Sequence, residues 1–180
     1  LATFIALDNG KRHALGVAFA IIERNKSGKG QVVDVALYES IFNLLEGIVP
    51  EFDGAGVVRE PSGTTITGIV PTNTYLCSDG KHVVIGGNGD SIFKRLMAEA
   101  GYEDMAKDPE LEHNQGRVIH EQKIDAALAK WCSEHSSADI ISKLEGARVP
   151  VGPIYSVEDM MSDPHYNARG MFETVEIDGE

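Results

Sequence analysis

Several residue groups in this 180-residue chain have the types and spacing to do chemistry. The first is Gly86, Gly87, Asn88 and Gly89, between the β-branched run "HVVIG" and the amphipathic segment that begins at Ser91. A strand, then glycines, then a helix is the order of a phosphate-binding loop, where backbone N–H groups receive an anion. A dinucleotide fingerprint, however, needs a third glycine where Ile92 stands, and a Walker loop needs Gly-Lys-Ser/Thr where Gly89-Asp90-Ser91 stands. Asp90 also puts a negative charge where a phosphate would sit, because a capping carboxylate competes for the same N–H groups. The stretch therefore reads as a strand-to-helix corner capped by Asp90 rather than as a pyrophosphate cradle.

The second group is the hydroxyl-rich stretch "PSGTTITG", which contains Ser62, Gly63, Thr64, Thr65 and Gly68. It is either a solvated loop or a lid over a ligand; long loops in compact domains are often functional or join domains. The third is Asp8, just before an apolar helical segment. A carboxylate there is stabilised as the anion by the helix N-terminus. It is either a capping group or, in a dry site, a nucleophile that forms an acyl anhydride. The histidines at 13, 82, 113, 120, 135 and 165 form no metal-binding spacing. His165 reads as a turn residue after Pro164. Cys77 and Cys132 form no CxxC and read as two reduced thiols of a cytoplasmic protein. No G-x-S-x-G elbow is present.

These groups need elements to hold them. Arg12 to Asn25 reads as a helix apolar almost all round, hence buried. Val32 to Leu37 reads as a short strand. Ile41, Leu44, Leu45 and Ile48 sit at helical spacing, and Pro50 closes that helix. Phe52 to Pro71 reads as a long loop. "TYLC" and "HVVIG" flank "SDGK", and Asp79-Gly80 predicts a type I′ hairpin turn. A helix over Ser91–Ala100 carries Ile92, Phe93, Leu96 and Met97 on one face. One longer helix is expected over Gly116–Ser133, with Val118, Ile124, Ala127, Leu128 and Trp131 as its stripe. Another spans Ser137–Ala147, capped by Gly146. Val149 to Ser156 reads as an extended connection, Ser156 and Asp159 as a capping box, and Phe172 to Ile177 as a final strand.

Composition excludes some partners. With 28 acidic against 16 basic residues and a formal charge of −12, neither a nucleic acid nor an anionic membrane surface is expected. The longest apolar run, Ala14 to Ile22, is far short of the roughly 20 residues a membrane span needs. The chain opens at Leu1 in an apolar stretch and stops at "ETVEIDGE", so a piece of a longer protein is expected.

The ordered set "ALGVAFAIIERNKSGKGQVVDVALYESIF", "GIVPTNTYLCSDGKHVVIGGNG", "IFKRLM", "GRV" and "VPVGPIYSVEDMMSDPHYNARGMF" resembles the class III CoA-transferases, the CaiB/BaiF family. The resemblance covers nearly the whole chain. The family includes carnitine, formate, oxalate and succinate CoA-transferases and the α-methylacyl-CoA racemases. It implies an α/β fold: a small mixed domain with an antiparallel hairpin and packed helices, plus part of a Rossmann-like large domain, in an interlocked homodimer. Residues 1–50 would then end the first half of the large CoA-binding domain. Residues 51–71 would be a linker, 72–155 the small domain, and 156–180 a return segment.

The resemblance further implies that coenzyme A enters as a substrate, with no metal and no redox cofactor. The expected partners are an acyl-CoA and a small carboxylic acid. The family nucleophile is an aspartate before the apolar helix. Counting back from "SGKGQ", its position falls on Ala6, two residues before Asp8, and Asp8 is the candidate. Formyl-transferring members carry four glycines over the active site, a run that "SGTTITGIVPTN" lacks. The expected activity is CoA transfer between an acyl-CoA and a carboxylic acid. A 2-methylacyl-CoA racemase and a non-catalytic domain for dimerisation or substrate capture are the alternatives.

Overall fold

The computed structural model describes residues 9–34, 36–42, 44–45 and 47–174. The chain divides into two compact units, Leu1–Pro61 and Ser62–Glu180.

The first unit contains α1 (Asn9–Ser27), α2 (Leu37–Phe42) and α3 (Ile48–Ala55). Four expectations change here, the first being that Phe52–Ala55, expected to begin the long loop, is the last turn of α3. The helix expected to be buried leaves Val17, Phe19, Ile21 and Ile22 about half exposed. Its described neighbours within the unit, α2 and Val33, are too short to cover a helix that is apolar all round. Val32–Asp34 and Ala36 form no strand, and Leu37 opens α2 instead. Pro50 lies in the first turn of α3 rather than closing the preceding helix. A proline fits there because the first-turn N–H has no intrahelical partner.

The second unit is a three-stranded antiparallel sheet packed with helices. Its strands are β1 (Thr72–Leu76), β2 (His82–Gly86) and β3 (Val151–Pro153), in the order β1-β2-β3. The β1–β2 hairpin pairs Leu76 with His82 and Thr72 with Gly86. Its turn is not type I′. Gly80 has φ 77° while Asp79 stays at negative φ, and the Gly80 N–H donates to the Cys77 carbonyl at 3.1 Å. This is a three-residue loop, a type I turn followed by a left-handed glycine. The choice frees the Asp79 carboxylate to accept from the Ser137 N–H at 2.9 Å and the Ser137 hydroxyl at 2.7 Å. Those bonds hold the Asp79 carboxyl below its ordinary value.

The segment expected to be a mere extended connection is the third strand. Ile85 pairs with Val151 and Val83 with Pro153. Pro153 is tolerated because β3 is an edge strand.

The helices are α4 (Asp90–Glu99), α5 (Glu103–Lys107), a 3₁₀ turn (Pro109–Leu111), α6 (Asn114–Ile119), α7 (Glu121–Ser133), α8 (Ser137–Gly146), α9 (Val157–Ser162) and α10 (Pro164–Ala168). The single helix expected over 116–133 breaks at His120, which has φ −105° and ψ 18°. Ile124, Leu128 and Cys132 on α7 recur every fourth residue and are fully buried, whereas Val118 on α6 is exposed. On α4, Phe93, Leu96 and Met97 reach the same core. Each such apolar side chain contributes about 1.5–3 kcal/mol on burial.

Gly146 is the last residue of α8, not its left-handed cap. Arg148 takes that role at φ 57°, with the Val149 N–H donating to the Leu144 carbonyl at 2.8 Å. Arg95 clamps the same terminus, donating to the carbonyls of Ala147 and Arg148 at 2.8 and 3.0 Å. The Ser156–Asp159 capping box forms as expected. His165 sits in the first turn of α10. Phe172 to Thr174 form no strand, and the rest of that expected strand lies outside the described residues.

Candidate functional site

The glycine corner is built by two strands running out of partners. Thr72 and Gly86 are the last β1–β2 pair. Beyond it, the Gly86 N–H donates to the Pro150 carbonyl at 3.0 Å and the Gly87 N–H to the Pro71 carbonyl at 2.8 Å. Both amides are therefore already used and cannot receive a phosphate. Gly87 is needed for room: a Cβ there would lie 2.4 Å from Leu96 Cδ2 and 3.0 Å from Pro71 Cγ. Close strand–helix approach thus falls to Gly87, without a third glycine.

Gly89, not Asp90, is the N-cap of α4, and Asp90 is the first helical residue. Its carboxylate leaves the helix terminus and turns to Arg117 and His113, each at 2.9 Å. The His113 ring and the Arg117 guanidinium hold the Asp90 carboxyl below the ordinary carboxylate range.

Arg117 is fully buried. Nε donates to the Val70 carbonyl at 3.0 Å, and Nη1 to the carbonyls of Leu111 and Glu112 at 3.1 and 2.9 Å. Nη2 donates to the Asn88 carbonyl at 2.6 Å and to Asp90 Oδ1 at 2.9 Å. Every N–H of the guanidinium is used. The Phe93 ring lies beneath it, 5.0 Å from centroid to Cζ. A charge is stable in such a place only when its hydrogen bonds are complete.

The 62–68 stretch is built from two turns, with the hydroxyls of Ser62, Thr64 and Thr65 engaged. The Ser62 hydroxyl donates to the Thr65 carbonyl at 3.1 Å and the Thr65 hydroxyl to the Ser62 carbonyl at 2.9 Å. Thr64 donates to Asn73 Oδ1 at 2.6 Å, and Asn73 donates on to Asp125 Oδ2 at 3.2 Å. Asp125 Oδ1 accepts from the Tyr75 hydroxyl at 2.5 Å. Burial, first, and the Asp125 carboxylate push the Tyr75 phenol well above its ordinary value. At the end of the stretch, Asn114 Nδ2 donates to the Gly68 carbonyl at 2.8 Å and Asn114 Oδ1 accepts from the Val70 N–H at 3.0 Å.

The fold thus joins two of the three candidate groups. The base of the 62–68 stretch meets the 86–89 corner through Pro71, Gly87 and Arg117. Asp8 lies outside the described residues, and so does its relation to either group. Arg117 and Asn114 were not singled out in the sequence. One signal existed: Arg117 falls on the same helical stripe as Ile124, Leu128 and Trp131, where a charge needs dedicated partners. Cys77 and Cys132 are buried free thiols, the second pushed up to about 12 by burial. Among the described residues no cluster of His, Cys, Asp or Glu has the arrangement of a metal site, and no helix is long and apolar enough to cross a membrane.

Known proteins are similar to this chain in sequence and in fold. The succinyl-CoA–D-citramalate CoA-transferase of Chloroflexus aurantiacus is 37% identical over 156 residues, covering 87% of this chain and 39% of that protein. The succinyl-CoA–L-malate CoA-transferase alpha subunit of Chloroflexus aurantiacus is 32% identical over 167 residues, covering 92% of this chain and 39% of that one. The chain thus spans about two fifths of the length of these curated relatives. The crystal structure of a CaiB/BaiF family protein from Brucella suis matches with a TM-score of 0.77 at 29% identity, over 93% of this chain and 44% of that one. The family model described as CoA-transferase family III matches residues 7–179, and the chain belongs to that family.

Proposed function

We propose that the protein to which this chain contributes transfers CoA between an acyl-CoA and a carboxylic acid. The family match across 7–179 carries this reading. The names of the two Chloroflexus relatives favour succinyl-CoA as donor and a short hydroxy-dicarboxylic acid as acceptor. The proposed setting is the cytoplasm, in an interlocked homodimer that includes a Rossmann-like CoA-binding domain.

In the proposed cycle the Asp8 carboxylate attacks the thioester carbonyl. The C–S bond breaks, CoA thiolate leaves, and an aspartyl–acyl anhydride forms. The thiolate then attacks the aspartyl carbonyl, releasing the donor acid and leaving an aspartyl-CoA thioester. The acceptor carboxylate attacks that thioester, regenerating thiolate and forming a second anhydride. Attack of the thiolate on the acceptor carbonyl releases the new acyl-CoA and restores Asp8. Every step is acyl transfer through a covalent intermediate, and neither a metal nor a redox cofactor takes part. The 62–68 stretch is the proposed substrate loop, and Gly86, Gly87, Asn88 and Gly89 the proposed border of the substrate cleft.

The test is Asp8→Ala in the full-length protein, assayed with succinyl-CoA and a panel of dicarboxylates. Transfer should fall on the order of a thousandfold or more, as expected when a covalent nucleophile is lost. A variant with undiminished transfer removes Asp8 from the cycle. Solvent deuterium uptake next to the thioester without an acceptor acid would assign the racemase reaction instead.

A further inference from the structure

We infer that Arg117 is a positioning residue, which with Asn114 fixes the base of the 62–68 stretch against the 86–89 corner. The two side chains stand one turn apart on α6 and grip the same backbone. Asn114 holds the Gly68 carbonyl and the Val70 N–H, while Arg117 holds the Val70 carbonyl. The same guanidinium reaches the Asn88 carbonyl. One rigid planar group, itself fully buried, therefore sets the distance between segments 18 residues apart in sequence.

The clasp is itself held from behind. Nη1 binds the carbonyls of Leu111 and Glu112, and Gly116 lets α6 press onto the 3₁₀ turn, where a Cβ would lie 1.7 Å from the Glu110 carbonyl oxygen. Neither the loop base nor the corner can move without breaking a bond to α6. Lysine cannot replace Arg117, because an ammonium directs three donors from one point rather than five from a planar fork. The consequence for catalysis rests on the proposed CoA transfer: the clasp fixes the proposed substrate loop, Ser62–Gly68, relative to the glycine corner.

The experiment uses the full-length protein with Asn114→Ala, Arg117→Lys and Arg117→Met. Asn114→Ala removes only the loop-side grip and so tests the inference even if the arginine variants fail to fold. Amide hydrogen exchange is followed at 66–70 and 86–90. Succinyl-CoA kinetics are followed as separate kcat and KM values. Asn114→Ala should speed exchange at 66–70 at least tenfold with α7 and α8 unchanged. Arg117→Lys should speed it in both segments, and each variant should raise the acceptor KM more than it lowers kcat. Uniform exchange changes across the unit, or full rescue by lysine, would overturn the positioning role. So would unaltered KM values in an enzyme whose exchange has changed. If the wild-type protein transfers no CoA, the functional reading fails, and the exchange pattern alone decides the clasp.

Discussion

Two helical glycines make the sharpest test of the packing. Gly116, in the first turn of α6, and Gly146, the last residue of α8, both have helical backbone, where glycine costs up to about 1 kcal/mol relative to alanine. By that rule, alanine should stabilise at either position. The structure separates them. Gly146 is exposed, and a Cβ there meets nothing within 4 Å. At Gly116 a Cβ would sit 2.9 Å from the Glu110 carbonyl carbon and 1.7 Å from its oxygen, the latter more than an ångström inside the 3.0 Å that Cβ contacts keep. The obstacle is backbone, not a flexible side chain.

Relief would require moving the 3₁₀ turn. Yet Glu110 is tied to Asp108 at 2.9 Å, Leu111 is buried at 1% exposure, and the Leu111 carbonyl accepts from Arg117. Overpacking costs about 1–3 kcal/mol, and a strained bond to a charged donor about 1.5–3. The helix gain offsets about 1. We expect Gly116→Ala to destabilise by roughly 2–4 kcal/mol, lowering Tm by about 5–15 °C at some 2–4 °C per kcal/mol. Gly146→Ala should stabilise by about 0.5–1 kcal/mol. Urea and thermal unfolding of both variants beside the wild type decide the matter. A Gly116→Ala protein as stable as the wild type would refute the close approach of α6 to the 3₁₀ turn.

Other expectations follow from the polar contacts. Tyr75→Phe removes a buried hydroxyl that donates to the Asp125 carboxylate. It should cost about 1.5–3 kcal/mol by chemical denaturation; a change below a few tenths would mean the bond contributes nothing net. The Asp159 carboxyl is held down to about 2 from an ordinary 3.8 by the Ser156 N–H, the Ser156 hydroxyl and the Lys81 ammonium. Because the folded value is depressed, its stabilisation is present above pH 3.8 and lost as pH falls toward 2. A carbon-detected NMR titration should place the Asp159 midpoint well below those of exposed aspartates, and Lys81→Met should raise it. A midpoint near 3.8 would contradict the capping-box geometry.

What the sequence alone determined was local. The β1–β2 hairpin was legible because Asp79-Gly80 marks a turn within four residues, between the short runs "TYLC" and "HVVIG". The Ser156–Asp159 box was legible because donor and acceptor lie three residues apart. The face of α4 and the existence of α8 were legible from apolar spacing, and the family from the order of its motifs. What only the tertiary structure decided was non-local. Val151–Pro153 became a strand because β2 offered an open edge about 65 residues earlier, which no local preference announces.

The hairpin turn changed type, because Asp79 was wanted by Ser137. Asp90 gave up its capping role because a buried guanidinium and His113 were better partners than α4's own N–H groups. Pro50, read as a helix stop, falls in the first turn of α3, where its missing N–H costs no intrahelical bond. Arg117 is the clearest case. Its partners come from the loop base, the glycine corner, the first turn of α4 and the 3₁₀ turn. Each carbonyl is invisible in the sequence, because every residue has one. Only the fold selects those few, by burying them around a single planar charge.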